Sequence, residues 1–143
     1  MPKLYINIGV TGTRDGFTPE QETSFRKLLE DLKKEGHPLL YFHQGQCIGV
    51  DVQAAKYAFD FGMVVASHPP IKKDLIGECT VHIEYDPKGY FERNRNIVDN
   101  SDVLIVVPKT KEHQTFGGTW YTHDYAVKCK KPVIIISPDG SLL

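Results

Sequence analysis

The sequence predicts an α/β protein with a Rossmann-like three-layer sandwich, built on a mostly parallel sheet of five to six strands. Short β-rich segments alternate with helical segments along the whole chain, which is the pattern of βαβ units. Two segments, LIVV at 104–107 and VIII at 133–136, are entirely apolar, as expected for strands covered on both faces. The 143 residues contain no repeat or linker, so we expect a single domain over residues 1–143.

The predicted strands are short and end at turn-forming residues. The first ends in a glycine-containing turn, and Pro69 and Pro70 end the third. The region 71–89 is the hardest to interpret and is expected to be a long loop that contains one short strand. The predicted strands cover residues 4–10, 39–45, 63–70, 81–85, 102–108 and 132–137.

Four segments carry helical periodicity. The first has the clearest boundaries, because Thr18 can cap the helix, Pro19 suits its first position and Gly36 can end it. Its apolar stripe consists of Phe25, Leu28, Leu29 and Leu32, and that of the second helix consists of Val50, Ala54, Tyr57, Ala58 and Phe61. The predicted helices cover residues 19–35, 49–62, 90–101 and 118–130.

Composition excludes several classes of function. With 17 basic and 18 acidic residues, the net charge of −1 leaves no electrostatic footprint for wrapping duplex nucleic acid or for lying on an anionic membrane. The apolar runs are far shorter than the roughly 20 residues needed to span a bilayer. The cysteines Cys47, Cys79 and Cys129 form no CxxC pair, and the first residues lack a signal-peptide cleavage site. We therefore expect a cytoplasmic protein with reduced thiols.

Polar and glycine-rich connections follow the strands at one edge of the predicted sheet. In open α/β sheets, ligands bind beyond the carboxyl ends of the strands, where strand order reverses. Glycines permit close backbone approach, and helix N-termini offer N–H groups to an anion. We therefore expect a phosphate and sugar site at this edge. The candidate ligand-binding residues are Gly9, Thr11, Gly12, Thr13, Arg14, Gly45, Gly49, Asp51, Arg93, Asn96, Gly117, Gly118, Thr119 and Trp120.

Each of these features also has a purely structural interpretation. Gly117 and Gly118 fit an ordinary turn, and Asp51 can simply favour a helix N-terminus. Since residues two apart on a helix point in different directions, at most one of Arg93 and Arg95 is expected to face the ligand. The asparagines of the ERNRN segment can hydrogen-bond the local backbone. The GVTGTR segment matches neither a Walker loop nor the GxGxxG fingerprint.

Neither a metal nor a resident cofactor is expected. The six histidines show no HExxH or comparable spacing, and His43 and Cys47 lie four apart in a strand-to-loop segment. His123 fits a proton donor near the proposed edge or an ordinary surface histidine. No GxSxG motif is present, so hydrolysis through a serine nucleophile is not expected.

Three segments resemble known nucleotide-binding proteins. HQGQCIGVDVQAAKYAFDFG and FERNRNIVDNSDVLIVVP resemble two motifs of the bacterial DNA-processing protein A. FGGTWYTHDYAVKCKKPVIII resembles both the end of that family's domain and the GGxGTxxE motif of Lonely Guy proteins. The chain is thus similar, from Gly9 to Ile136, to the SLOG superfamily, whose members bind nucleotides or nucleotide-derived ligands on a Rossmann-like domain.

The resemblance implies two different activities. Lonely Guy enzymes release a base from a nucleoside monophosphate with an arginine and the glutamate of their motif, but Thr122 stands where this chain would need that glutamate. The DNA-processing family implies single-stranded DNA as a partner, and both families commonly form homo-oligomers. Aromatic side chains suited to stacking on bases are Tyr90, Phe91, Trp120 and Tyr121.

The leading hypothesis is that the protein binds a nucleotide or nucleotide-derived small molecule. The phosphate or ribose would lie on residues 9–14 and 117–119, with charge from Arg95, a sugar contact from Asp51 and an aromatic near Trp120 over the base. If the protein is an enzyme, it would cleave an N-glycosidic bond, with Glu92, Arg95 and Asp124 as the catalytic candidates. The alternatives are a non-catalytic sensor of a nucleotide signal and a single-stranded DNA-binding protein.

Overall fold

A computed structural model describes residues 5–36 and 39–143, and it contains a six-stranded sheet in which all neighbouring strands run parallel. The strand order is β4-β3-β2-β1-β5-β6. The predicted α/β class is confirmed, although Leu4, which the sequence places in the first strand, lies outside the described residues. The strands are β1 Tyr5–Gly12, β2 Leu39–Gln44, β3 Val64–Ser67, β4 Ile83–Glu84, β5 Val103–Val107 and β6 Val133–Ile135.

The helices begin and end close to the predicted positions. At the start of α1, the Thr18 hydroxyl accepts a hydrogen bond from the Gln21 N–H, and the Gln21 side chain accepts one from the Thr18 N–H, both at 3.0 Å. This capping box fixes the first turn, and Gly36 follows the helix with a φ of 82° that suits glycine. The helices are α1 Pro19–Lys34, α2 Val50–Asp60, α3 Tyr90–Asp99 and α4 Gly118–Lys128.

Two separate apolar cores confirm the three-layer arrangement. Alternate side chains of β5 point to opposite faces, so that Ile105 and Val107 join the core under α1 and α2, while Leu104 and Val106 join the core under α3 and α4. All four are completely buried, as the LIVV run predicts. The VIII run differs, because β6 is an edge strand, and Val133–Ile135 are only partly buried.

The sheet reverses its strand order between β1 and β5. β1 pairs with β2 on one side and with β5 on the other, and Gly12 lies opposite Val107 in the register. The carboxyl ends of β1 and β5 therefore lie side by side at the position where Rossmann-like folds bind ligands. A Cβ at Gly12 would lie 2.5 Å from Val50 Cγ1, so this glycine lets α2 begin directly against the end of β1.

Among the described residues, no helix combines the length and the apolar character needed to cross a bilayer.

Candidate functional site

A cavity of about 600 Å³ lies at the point where the strand order reverses. Four connections contribute to its wall: those after β1, β2 and β5, and the start of α3. The lining residues are Val10, Thr11, Gly12, Thr13, Arg14, Asp15, Cys47, Asp51, Tyr90, Phe91, Arg93, Asn94, Ile97, Lys109, Thr110, Gln114, Phe116, Gly117, Gly118, Thr119 and Trp120. The segments that the sequence places at one edge of the sheet thus surround a single cavity.

The loop after β1 is held in place by its own backbone. The Thr13 N–H donates to the Val107 carbonyl at 3.1 Å, and the Thr13 carbonyl accepts from the N–H groups of Gly16 and Val50. These bonds join the loop to β5 and to the start of α2. The Thr13 hydroxyl accepts from the Asp15 N–H at 3.2 Å, which fixes the turn that presents Arg14 to the cavity.

The N-terminus of α4 faces the cavity. Its N-cap residue, Gly117, has a φ of 90° and makes no side-chain cap hydrogen bond, and the Tyr121 N–H donates to the Gly117 carbonyl at 3.1 Å. The N–H groups of Gly118, Thr119 and Trp120 precede this first helical bond, so they belong to the orphan donors of a helix start. All three residues line the cavity, and such a helix start is suited to binding an anion.

Arg93 is the most constrained cation at the cavity. Its guanidinium is buried, with 5% of the residue exposed, and donates to the carbonyls of Gly45 at 2.7 Å and His68 at 3.2 Å. The Arg93 Nε donates to Asn94 Oδ1 at 2.7 Å, and Nη2 contacts Cys47 Sγ at 3.6 Å. These bonds fix the charge in one orientation, so the ligand would meet a preorganised cation.

Two further cations lie nearer the entrance. The Tyr90 ring contacts two guanidinium groups, with Arg93 Cζ at 5.5 Å and Arg14 Cζ at 5.7 Å from its centroid. Lys109 Nζ lies 3.0 Å from Asp15 Oδ2 in an exposed ion pair, which water and salt weaken. The cavity therefore combines one buried cation with two exposed ones.

Asp51 and Cys47 are two buried titratable residues of the cavity lining. Burial raises the pKa of Asp51 to about 6, although the nearby Arg93 opposes that rise. Asp51 Oδ2 accepts from the Cys47 N–H at 3.3 Å, which orients the loop before α2. Burial, with the Asp51 charge, also raises the pKa of the Cys47 thiol, so this cysteine is a neutral lining group rather than an activated nucleophile.

Aromatic side chains surround the entrance. Phe116 is 74% exposed and Phe91 is 58% exposed, and the Phe91 ring packs edge-on against Tyr121 at 4.6 Å. Trp120, which the sequence predicts to lie near the base, is 6% exposed and packs against His113 and His123. Phe116 is thus the aromatic ring with the largest free surface for stacking against a planar ligand.

The three candidate catalytic residues lie outside the cavity lining. Arg95 Nη1 donates to the Tyr121 hydroxyl at 2.7 Å, so α3 directs Arg93 to the cavity and Arg95 away from it. Glu92 is exposed on α3, and Asp124 accepts hydrogen bonds from His113 and His123.

Four candidate ligand-binding residues also lie outside the lining. A Cβ at Gly9 would collide with the Ser101 side chain, one at Gly45 would collide with Arg93, and one at Gly49 would meet the Arg14 carbonyl. These glycines permit close packing. The Asn96 carbonyl accepts from the Asn100 side chain, and it is the neighbouring Asn94 that reaches the cavity. The lining includes the other ten candidates: Thr11, Gly12, Thr13, Arg14, Asp51, Arg93, Gly117, Gly118, Thr119 and Trp120.

Two lining residues, Lys109 and Thr110, carry no sequence signal of their own. Lys109, Thr110, Gln114 and Phe116 belong to an irregular loop that only the fold brings back to the cavity. The sequence predicts a role for this loop only through its position directly after strand β5, because loops at the carboxyl ends of strands bind ligands in α/β proteins.

No protein-family model and no curated protein matches this chain. Solved structures do match its fold. The molybdenum cofactor binding protein from the phototrophic bacterium Rippkaea orientalis is 24% identical with a TM-score of 0.69, over 93% of this chain and 77% of that one. The Moco carrier protein from Chlamydomonas reinhardtii is 26% identical with a TM-score of 0.62, over 92% of this chain and 75% of that one.

A third solved structure is DNA processing protein A from Streptococcus pneumoniae, which is 19% identical with a TM-score of 0.69. The match covers 92% of this chain but only 50% of that one, so the present chain spans about half of its length. These neighbours share one architecture, and this chain has the SLOG-type Rossmann-like fold that its motifs predict.

Proposed function

We propose that this protein binds one phosphorylated planar heterocycle, of the size of a nucleotide, in the cavity at the ends of β1 and β5. The observation that carries the proposal is that a helix start suited to anions and three cationic side chains, Arg14, Arg93 and Lys109, line the same cavity. An exposed aromatic ring at the entrance supplies the surface for the heterocycle.

The charges of the lining favour an anionic ligand. Arg14, Arg93 and Lys109 face Asp15 and Asp51, so the lining has one net positive charge when both carboxylates are ionised. Because the pKa of Asp51 is raised to about 6, this carboxyl group becomes neutral below that pH and the net charge of the lining becomes more positive. A monophosphate gains from this arrangement, whereas an uncharged nucleoside does not.

The size of the cavity favours a single small molecule. A volume of about 600 Å³ falls within the range of roughly 300–1,000 Å³ typical of small-molecule sites. Single-stranded DNA instead needs a long basic groove with successive stacking rings. The net charge of −1 gives little support for such a track. We therefore favour the small-molecule ligand over the DNA-binding alternative.

The carboxylates give less support to cleavage than to binding. Thr122, at the position of the Lonely Guy glutamate, is buried, and its hydroxyl donates a hydrogen bond of 2.7 Å to the Gly118 carbonyl. Glu92 and Asp124 lie away from the lining, and Asp15 is engaged by Lys109. Cleavage of an N-glycosidic bond needs a carboxylate next to the developing positive charge on the ribose. The arrangement therefore favours a binding protein or sensor.

The ligand class includes the molybdenum cofactor. Two of the structural neighbours are described as binding or carrying that cofactor. It is a phosphorylated pterin, so it presents the same combination of an anion and a flat heterocycle as a nucleotide. The cofactor would be cargo in this site, and the same helix start and cations would hold its phosphate.

The test is a binding panel measured by calorimetry and by the fluorescence of Trp120, the only tryptophan. We expect nucleoside monophosphates or phosphorylated pterins to bind, and the matching compounds without phosphate to bind at least about tenfold more weakly. Arg14→Ala and Lys109→Ala should each weaken binding. Lys27→Ala, which removes an exposed lysine paired with Asp31 on α1, is the matched control.

Three results separate the alternatives. Equal affinity for phosphorylated and unphosphorylated compounds, or an equal effect of Lys27→Ala, would contradict the proposed site. Release of free base would identify an enzyme. Salt-sensitive binding of oligonucleotides, with no binding of monophosphates, would favour the DNA-binding alternative.

Self-association and a cytoplasmic location remain predictions that accompany this function. Exposed apolar side chains such as Phe91 and Phe116 near the cavity are suited to a subunit interface as well as to a ligand. Sedimentation equilibrium of the wild-type protein and of Phe91→Ala tests the homo-oligomer, because an interface there requires the variant to dissociate more readily. All three cysteines are free, which agrees with a reducing compartment.

A further inference from the structure

Three metal-ligating side chains meet beside the cavity. His113 comes from the loop after β5, whereas His123 and Asp124 come from the middle of α4. One ligand atom from each lies within 4.8 Å of the others. His113 Nε2 is 2.7 Å and His123 Nδ1 is 2.8 Å from the same oxygen, Asp124 Oδ1. We propose that these three side chains form a binding site for a divalent transition-metal ion such as Zn²⁺.

Packing against Trp120 holds the two imidazole rings in place. The Trp120 ring centroid lies 5.0 Å from that of His113 and 5.1 Å from that of His123. The indole is itself buried, so it forms a fixed support between the loop and the helix. Supported ligands of this kind lose little conformational freedom when a metal binds, which favours affinity.

The present hydrogen bonds occupy the positions that metal bonds would take. Each imidazole donates an N–H to the carboxylate oxygen, and a metal ion would replace these two protons. Tetrahedral Zn²⁺ with bonds of about 2.0–2.1 Å needs ligand atoms about 3.3 Å apart, so each imidazole nitrogen must move about half an ångström away from Asp124 Oδ1. The His113 and Asp124 side chains are 46% and 51% exposed, which leaves room for that movement and for a water ligand.

The ligand set determines the class of metal. Two imidazoles with one carboxylate suit Zn²⁺, Co²⁺, Ni²⁺ and Cu²⁺, whereas Mg²⁺ and Ca²⁺ prefer oxygen ligands alone. A bound ion would also tie the loop to α4. Gln114 and Phe116 follow His113 in this loop and line the cavity, so the ion would fix one side of the entrance. The metal site itself does not depend on the identity of the cavity ligand.

The single tryptophan provides a direct readout. Ni²⁺ and Cu²⁺ quench nearby indole fluorescence, and Trp120 packs against both histidines. We expect saturable quenching by one equivalent of Ni²⁺, reversed by Zn²⁺, which does not quench. The full chain with Cys129→Ser is the starting protein, because Cys129 is an exposed thiol at the end of α4.

Variants at the three ligands should each weaken Ni²⁺ binding at least about tenfold. Even the mutation of residues that only hydrogen-bond the ligands of a metal site lowers its metal affinity by that factor. The variants are His113→Gln, His123→Gln and Asp124→Asn, with unchanged circular dichroism as the folding check. His82→Gln is the matched control. His82 is exposed and lies next to β3 and β4, at the opposite end of the sheet from β5 and β6. Glutamine retains an oxygen that can accept from the Val65 N–H, as His82 Nδ1 does. It should bind Ni²⁺ as the starting protein does.

Quenching that survives in the ligand variants, or that disappears in His82→Gln, would overturn the proposal. A second measurement needs no variant. Crystals of the full chain soaked in Zn²⁺ should show an anomalous difference peak between His113, His123 and Asp124 at the zinc absorption edge. A peak only at other positions, or none, would also overturn it.

Discussion

Arg93 Nη1 donates a hydrogen bond of 2.7 Å to the carbonyl of Gly45, and a Cβ on that glycine would collide with the same guanidinium. Gly45 thus does not need to touch a ligand in order to matter for the site. The absence of its side chain lets a buried cation lie flat against the loop after β2. The two residues are 48 positions apart, and only the sheet brings them together.

Gly45→Ala should displace the Arg93 guanidinium and weaken binding of a monophosphate. Since the guanidinium is buried and held by several bonds, it cannot move away at little cost. We expect at least about a tenfold rise in the Kd for the monophosphate, with a lower melting temperature. Gly89→Ala is the control, because nothing lies within 4 Å of its Cβ position. An unchanged Kd in Gly45→Ala would show that Arg93 is not part of the anion site.

Arg93 and Arg95 should differ in their effect on ligand affinity. Arg93→Met removes a fixed cation from the cavity wall, and hydrogen bonds to charged groups contribute about 1.5–3 kcal/mol each. We therefore expect the affinity for a monophosphate to fall by about ten- to a hundredfold. Arg95→Met, which loses the bond to Tyr121 on the outer face, should bind within about twofold of wild type.

Calorimetry below the melting temperatures of both arginine variants makes that comparison. Arg93→Met is also expected to be less stable, since the carbonyls of Gly45 and His68 lose their donor. Equal losses of affinity in the two variants would contradict the assignment of the anion site to the side of α3 that carries Arg93.

The fold could be predicted because its signals are local. The LIVV run, the capping residues of α1 and the alternation of elements each depend on a few neighbouring residues, and the structure places those elements within a few positions of the prediction. The convergence of four connections at one edge also follows from parallel topology alone. These features required no knowledge of how side chains pack.

The side-chain composition of the site depends on packing and could not be predicted in the same way. The rotation of α3 about its own axis decides whether Arg93 or Arg95 faces inward, and the ERNRN segment permits either. The sequence does not distinguish a glycine needed for close packing, such as Gly45, from a glycine that approaches a ligand. His113 and His123 form a cluster only because the loop after β5 folds back onto α4.

Asp51 should make stability depend on pH in a direction opposite to that of most carboxylates. Burial raises its pKa in the folded protein from 3.8 to about 6, so the folded state holds a proton that the unfolded chain releases. This contribution is complete below about pH 4 and is lost as the pH rises through 6. The slope is about 1.4 kcal/mol per pH unit for one proton.

Asp51→Asn removes this titration while keeping an oxygen that can accept from the Cys47 N–H. The free energy of unfolding, measured by urea denaturation, should therefore rise for the variant relative to the wild type as the pH increases from 4 to 6. A constant difference between the two proteins over that range would show that Asp51 titrates at its ordinary pKa.

A buried histidine pair should destabilise the protein on acidification. His43 Nδ1 lies 3.0 Å from His68 Nε2, and His43 Nε2 lies 2.9 Å from Asn7 Oδ1. Since the amide oxygen only accepts, His43 donates from Nε2 and accepts at Nδ1 from His68, which leaves both rings neutral. Burial lowers the pKa of His43 to about 4, against the attraction of Asp102, and that of His68 to about 3, with Arg93 and His43 lowering it further.

The sign of this effect follows from the lowered pKa values. Well above pH 6.5 neither the folded nor the unfolded chain protonates these rings. As the pH falls from 6.5 towards 4, the unfolded chain takes up protons that the folded chain excludes, so stability declines by about 1.4 kcal/mol per pH unit for each ring. Both proteins of the comparison carry Asp51→Asn, so that Asp51 does not contribute to the pH dependence. The free energy of unfolding of the protein that also carries His43→Gln and His68→Gln should decline less steeply over this range than that of Asp51→Asn alone. Parallel stability profiles for the two proteins would mean that the pair titrates in the folded protein as it does in the unfolded chain.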